Sequence, residues 1–168
     1  MRVAVTGTPG TGKTTATERL ETDLDVVHLN EEIRDLELFT ATDEERDSLV
    51  ADMDELAETF ADRENVLFES HLAHHLAVDR VIVLRCAPET IEERLSERGE
   101  SPESVRENAE SEALDVILSE AVSEHGADAV YEIDTTDRSP DAVAEQVAAV
   151  IAGDCEPSAG TVDFTDYL

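Results

Sequence analysis

The sequence predicts a three-layer α/β domain in which a five-stranded parallel sheet carries helices on both faces, and three observations predict it. Five short runs rich in Val and Ile alternate with stretches of helical period. The runs are apolar on both faces, which suits strands buried between two helix layers. Ser-Pro pairs stand where crossover helices would begin, each placing an N-cap residue before a proline at the first helical position.

The first strand, Val3–Thr6, runs into a glycine-rich turn, after which a helix begins around Thr14 and Thr15. The second strand is Val26–Leu29. Thr42 or Asp43 is the expected cap of the next helix, with Leu49, Met53, Leu56 and Phe60 as its apolar stripe at spacings of four and three. Strands three and four are Val66–Glu69 and Val81–Leu84, and Arg94 and Arg98 then share a helix face that ends at Gly99. Ser101-Pro102 opens a helix expected to run to about Glu124, followed by the fifth strand, Ala129–Ile133, and a last helix opened by Ser139-Pro140. Periodicity is lost from Gly153 on, so residues 1–152 read as one domain and 153–168 as a loose tail, docked by Phe164, Tyr167 and Leu168. A chain of 168 residues can bury roughly 70% of its unfolded surface around a single core.

Twelve Lys plus Arg against 42 Asp plus Glu give a formal net charge of −30, which excludes broad, sequence-independent binding to nucleic acid through a basic face. Eleven of the twelve cations are Arg, and the one lysine is Lys13. Loss of surface lysine under a dense carboxylate coat suits a halophilic protein in a salty cytoplasm, where screening shortens the reach of self-repulsion. Met1-Arg2-Val3-Ala4-Val5 shows no secretory pattern and no stretch approaches 18 apolar residues, so a cytoplasmic protein without a membrane partner is expected. Cys86 and Cys155 form no C-x-x-C pair and read as reduced and structural.

Gly7-Thr8-Pro9-Gly10-Thr11-Gly12-Lys13-Thr14 fits G-x-x-x-x-G-K-[ST] between a strand and a helix, the context the phosphate-binding loop requires. Glycines let main-chain N–H groups converge on phosphate oxygens where a side chain would clash. Lys13 is expected to bridge the β- and γ-phosphates of ATP, and the Thr14 hydroxyl to hold Mg²⁺. Retention of this one lysine in a chain that carries no other argues for a ligand; arginine is too bulky and fork-shaped for the contact. A GTPase would need an Asn-Lys-x-Asp motif, which a single lysine at position 13 forbids, and the length excludes large AAA-type motors.

Glu69 closes the third strand, where ligands bind in open α/β sheets, and is expected to orient the hydration shell of Mg²⁺ or a nucleophile. His71, two residues on, would position a water or an acceptor phosphate. His71, His74 and His75 have spacings that could imitate a metal site, but no acidic or Cys ligand has a matching register, and zinc is not expected. Arg85, Arg94, Arg98 and Arg106 concentrate four arginines in 22 residues. Arg94 and Arg98 could clamp the transferring phosphoryl group, the other reading being i,i+4 pairing with nearby Glu. Asn30 and Arg34 are candidates for an acceptor pocket.

The chain resembles the adenylate kinase isoenzyme six family, small nuclear adenylate kinase/ATPases of ribosome assembly. The resemblance rests on TGTPGTGKTT (Thr6–Thr15), HLN (His28–Asn30), ESH (Glu69–His71), VIVLRC (Val81–Cys86), ERLSERG (Glu93–Gly99) and ENAESEA (Glu107–Ala113), which together extend over most of residues 1–152. It implies a nucleoside-monophosphate-kinase-like fold with strand order 2-3-1-4-5, a monophosphate-binding region over about residues 30–49 and a short lid over about 97–107. By matching position it makes Gly10, Gly12, Lys13, Thr14, Thr15 and Arg98 the ATP contacts and His71 the histidine of a Walker-B-like motif. The implied activity is reversible transfer from ATP to AMP with slower ATP hydrolysis, and the implied partner is a small-subunit ribosomal protein during rRNA maturation. The family usually has Asp where this chain has Glu69 and Tyr where it has Ser70. Two other readings are a nucleotide-switched assembly ATPase and a small-molecule kinase with a non-nucleotide acceptor.

Overall fold

The structure, a computed structural model, describes residues 1–44 and 48–168. Its main sheet is five-stranded, in the order β2-β5-β1-β6-β7, with β1 Arg2–Thr6, β2 Asp25–His28, β5 Val66–Glu69, β6 Arg80–Arg85 and β7 Val130–Asp134. Each adjacent pair is parallel. Counting only these strands, the order is the expected 2-3-1-4-5.

Alternate side chains of the strands go to opposite faces, and both faces are covered. Ala4, Phe68, Val81 and Val83 pack with Leu56, Leu118 and Ala121 on one side. Val3, Val5, Leu67, Ile82 and Leu84 pack with Ala16, Val143, Val147 and Val150 on the other. Burial on both faces is why these runs carry no polar alternation. The covering helices are α1 Lys13–Glu18, α2 Leu29–Asp35, α3 Met53–Thr59, α4 Pro88–Glu97, α5 Pro102–Ala113, α6 Val116–His125 and α7 Pro140–Ala152. Among the described residues no helix is long and apolar enough to cross a membrane.

Three expectations are corrected. Thr42 and Asp43 cap no helix: they lie in β3 (Phe39–Asp43), which pairs antiparallel with β4 (Ser48–Ala51). β-Branched and aromatic residues favour that ribbon, which also takes Leu49 out of the expected stripe. Asp52 is the cap of α3, its carboxylate accepting the Glu55 N–H at 3.1 Å, and Leu56 and Phe60 are buried as expected.

The helix expected over residues 102–124 is two helices, α5 and α6, broken at Leu114-Asp115. Asp115 adopts a left-handed conformation (φ 55°), and the break is held from below by Arg85, which donates to the Glu112 carbonyl at 3.1 Å and to Asp115 Oδ1 at 2.5 Å.

The segment expected as a loose tail lies along β7. Ser158 N–H donates to the Val130 carbonyl at 3.0 Å, and the Glu132 carboxylate accepts from the N–H groups of Gly160, Thr161 and Val162 and from the Thr161 hydroxyl. Phe164 packs under the Arg85 guanidinium at 5.5 Å and the Tyr167 hydroxyl donates to Glu92, while Leu168 is exposed.

Candidate active site

The C-terminal ends of β1, β5 and β2 build the site. In the sheet register Val5 stands beside Glu69, and Glu69 beside His28. The turn from β1 to α1 crosses this edge, and its backbone requires glycine. At Gly7 a Cβ would meet the Leu84 carbonyl oxygen at 2.5 Å, and Gly12 has φ 91° at the start of α1.

Lys13 folds back over the turn, Nζ donating to the Gly7 carbonyl at 2.9 Å and the Thr8 carbonyl at 3.1 Å. Burial brings its pKa down to about 8, against the opposing pull of Glu69. Loop carbonyls therefore hold the ammonium at the mouth of the turn. The Thr14 hydroxyl donates to Glu69 Oε1 at 2.8 Å, and His28 Nδ1 lies 3.2 Å from Glu69 Oε2. Thr14 and Glu69 thus present hard oxygens side by side next to the lysine, a donor set that fits Mg²⁺.

Asn30 sits at the start of α2, its Oδ1 accepting from the Ser70 hydroxyl at 2.8 Å. His71 is half-buried, and burial, with Lys13 nearby, lowers its pKa to about 4, which leaves the imidazole neutral. A cleft of about 220 Å³ brings together Gly10, Gly12, Lys13, Thr14, Thr15, Asn30, Glu69, His71 and Arg98. Arg34 is exposed on α2.

A second cleft, also about 220 Å³, shares Gly12, Thr15 and Arg98 with the first and continues past Thr11, Arg94, Thr135, Arg138, Pro140 and Val143. Arg98 ends α4 and overlooks both. Arg94 Nη1 donates to the Gly10 carbonyl at 2.9 Å, so it braces the glycine-rich turn and lines the second cleft. The other two arginines of the cluster lie elsewhere. Arg106 forms an exposed i,i+4 pair with Glu110 at 2.9 Å, and Arg85 is buried with Glu112 (2.8 Å), Asp115 (2.5 Å) and Glu132 (3.2 Å).

Sequence reasoning missed the residues that support the turn. Glu112 is 3% exposed and accepts from the Thr8 hydroxyl (2.6 Å), Arg85 Nε (2.8 Å) and the Cys86 N–H (3.1 Å), tying α5 and β6 to the loop. The Thr135 hydroxyl sits 3.0 Å from the Thr11 carbonyl and 2.9 Å from that of Arg85. In a chain with 42 acids nothing marks Glu112 individually; its one signal was its place in the ENAESEA segment.

Residues 3–115 match the family model described as an AAA domain. Proteins named "Putative adenylate kinase" are similar over the full length of both chains: that of Natronomonas pharaonis is 63% identical and that of Halobacterium salinarum 65%. That of Methanocaldococcus jannaschii is 40% identical, covering all of this chain and 97% of its own. Among solved structures, shikimate kinase from Acinetobacter baumannii in complex with shikimate superposes with a TM-score of 0.63 at 15% identity, covering 91% of this chain and 93% of that one. Deoxyadenosine kinase from M. mycoides with bound dATP gives 0.56 at 15% identity, covering 90% and 100%. These two likenesses are of fold.

Proposed function

The chain belongs to the AAA-domain family, together with the Natronomonas and Halobacterium proteins named "Putative adenylate kinase", and from that premise we propose that it catalyses Mg²⁺-dependent, reversible phosphoryl transfer from ATP to AMP or another nucleoside monophosphate. The observation that carries this reading is the pair of clefts joined at Gly12, Thr15 and Arg98. A triphosphate threaded through that junction would lay its base against Arg138, Pro140 and Val143 and its phosphates over Gly10, Gly12, Lys13, Thr14 and Thr15. The acceptor would enter past Asn30, with Arg34 at the rim, Arg94 holding the turn in shape, and the region of residues 30–49 closing on it.

Phosphoryl transfer asks the chain chiefly for positioning and neutralisation of charge. Lys13 would leave the Gly7 and Thr8 carbonyls for the phosphate oxygens, and Arg98 would approach the same oxygens from the end of α4. Thr14 and Glu69 would hold Mg²⁺, which when bound neutralises charge between the phosphates. His71, neutral and lining the same cleft as Glu69, would donate a hydrogen bond to the acceptor phosphate or hold a water. The lid would be the turn between α4 and α5, residues 97–107, and so short a lid excludes water incompletely, which would give a side ATPase activity.

Adding AMP to protein, Mg²⁺ and ATP is expected to raise ADP formation steeply, with two ADP produced for each AMP consumed. If AMP leaves the rate unchanged and phosphate appears one for one with ADP, the reading fails in favour of a nucleotide-switched ATPase. The net charge of −30 favours that second reading in one respect: it complements a basic partner such as a small-subunit ribosomal protein during rRNA maturation. Turnover with a sugar acid and no response to AMP would instead mark a small-molecule kinase.

We also place the protein in a salty cytoplasm on the strength of the same charge. Lowering KCl from molar to about 0.1 M is expected to reduce its melting temperature, because screening of the carboxylate coat weakens as the Debye length grows from about 3 to 10 Å. A melting temperature independent of KCl would overturn that placement.

A further inference from the structure

The histidines that follow His71 make a site of their own, apart from the residues lining the nucleotide clefts. His74 and His75 sit in a short 3-10 turn, Ala73–His75, packed against α6. Glu120 and Glu124 project from α6 toward them. The acidic ligand absent from the local sequence is supplied by a helix 45 residues further along the chain, counting from His75 to Glu120. We propose that His74 Nε2, His75 Nε2 and Glu120 Oε2 bind a borderline divalent cation of the Zn²⁺, Co²⁺ or Ni²⁺ class, which clamps the 3-10 turn to α6.

The three donor atoms lie within 4.8 Å of one another. Glu120 Oε2 is 2.7 Å from His74 Nε2 and 3.7 Å from His75 Nε2, which brackets the roughly 3.3 Å edge of a tetrahedral site with bonds of about 2.0–2.1 Å. Each imidazole is also oriented through its other nitrogen. His74 Nδ1 meets the Thr6 hydroxyl at 2.8 Å, and His75 Nδ1 meets Glu124 Oε1 at 2.6 Å. For His75 this is the outer arrangement that fixes the tautomer of a ligating histidine; His74 Nε2 itself donates to Glu120 Oε2, so a cation there would displace that proton while the Thr6 hydroxyl accepts from Nδ1–H. A carboxylate only accepts, so His75 Nδ1 carries a proton toward Glu124. His75 Nε2 faces Glu120 Oε2 at 3.7 Å, too far for a hydrogen bond, and a shared cation would bond to both.

The chain fixes the turn further: His125 Nε2 donates to the His74 carbonyl at 2.6 Å. Access comes from one side. The His74 side chain is 1% exposed, while those of His75 and Glu120 are 28% and 43% exposed, leaving a fourth coordination position to solvent. Two imidazoles and one carboxylate select the borderline metals over Mg²⁺, which prefers an all-oxygen set. The site is therefore chemically separate from Thr14 and Glu69.

The test uses chelator-treated full-length protein in concentrated KCl with millimolar Mg²⁺, titrated with Co²⁺ while its visible absorption is followed, and separately with Zn²⁺ by calorimetry. One equivalent is expected to bind with the intense visible bands of a low-coordinate Co²⁺ site. A hundredfold excess of Zn²⁺ over its Kd should raise the melting temperature by about 5–10 °C. His75→Gln and Glu120→Gln, both at partly exposed positions, should each weaken binding at least tenfold while far-UV circular dichroism stays unchanged. Absence of saturable binding in the presence of Mg²⁺, or unchanged affinity in both variants, overturns the proposal. Because the readouts are optical and calorimetric, none depends on phosphoryl transfer.

Discussion

Replacing Lys13 with Ala should lower kcat for phosphoryl transfer by about 10²-fold or more, the usual cost of deleting a preorganised charge donor from a site where negative charge develops. The native state should survive the change, because the ammonium makes two hydrogen bonds and one of its acceptors, the Thr8 carbonyl, keeps the Thr11 N–H at 3.2 Å. Lys13→Arg should not restore the rate, since a planar fork cannot follow the same path over Gly7 and Thr8. Steady-state rates of ADP formation, with circular dichroism as the control for folding, check both variants. A rate within threefold of the parent's in Lys13→Ala would remove Lys13 from the chemistry.

Arg85→Leu should be the most destabilising single change, by about 3–5 kcal/mol. It takes the cation from Glu112 and Glu132, carboxylates whose side chains are 3% and 0% exposed and whose other partners are neutral N–H and O–H groups, and removing one member of a buried ion pair leaves the other charged in a poor solvent. For a chain of 168 residues this corresponds to a fall in melting temperature of about 6–20 °C. Denaturant titration monitored by circular dichroism measures it, and a loss below about 1 kcal/mol would show that the carboxylates relax toward water. Glu112 also holds the Thr8 hydroxyl, so the variant's ATP affinity should fall as well.

The same arginine shows where the sequence stops being legible. It stands in a dense cluster of which Arg94 and Arg98 were expected to face phosphate, and these are the two of the four that line the clefts; the spacing said nothing of Arg85's burial. Which of several nearby cations lies inside depends on where β6 ends relative to α5 and β7, and no local pattern encodes that. The five parallel strands were legible because burial on both faces removes polar residues from short runs. The hairpin β3–β4 was not: none of its described side chains is fully buried, and Leu49 falls by coincidence in register with the apolar positions of α3. The break at Asp115 was hidden for a similar reason, since Asp is only a modest helix disfavourer and its left-handed backbone is held by Arg85, 30 residues earlier.

Within the site, the glycine-rich turn and Lys13 could be read from spacing alone, because phosphate binding by main-chain N–H groups dictates glycine at fixed positions. Glu69 could be read from its place at a strand end. What spacing could not convey was mutual bonding, such as that of Thr14 and His28 to the two oxygens of Glu69. The register between β2 and β5 creates that contact.

The docking of residues 160–162 onto Glu132 bears on how the polypeptide matures. Until that stretch is in place, the β7 carboxylate has, among the described residues, Arg85 as its remaining partner, so the interior is not finished when the last strand pairs. A substitution at Leu168, which is 63% exposed, is better tolerated than one among residues 160–162.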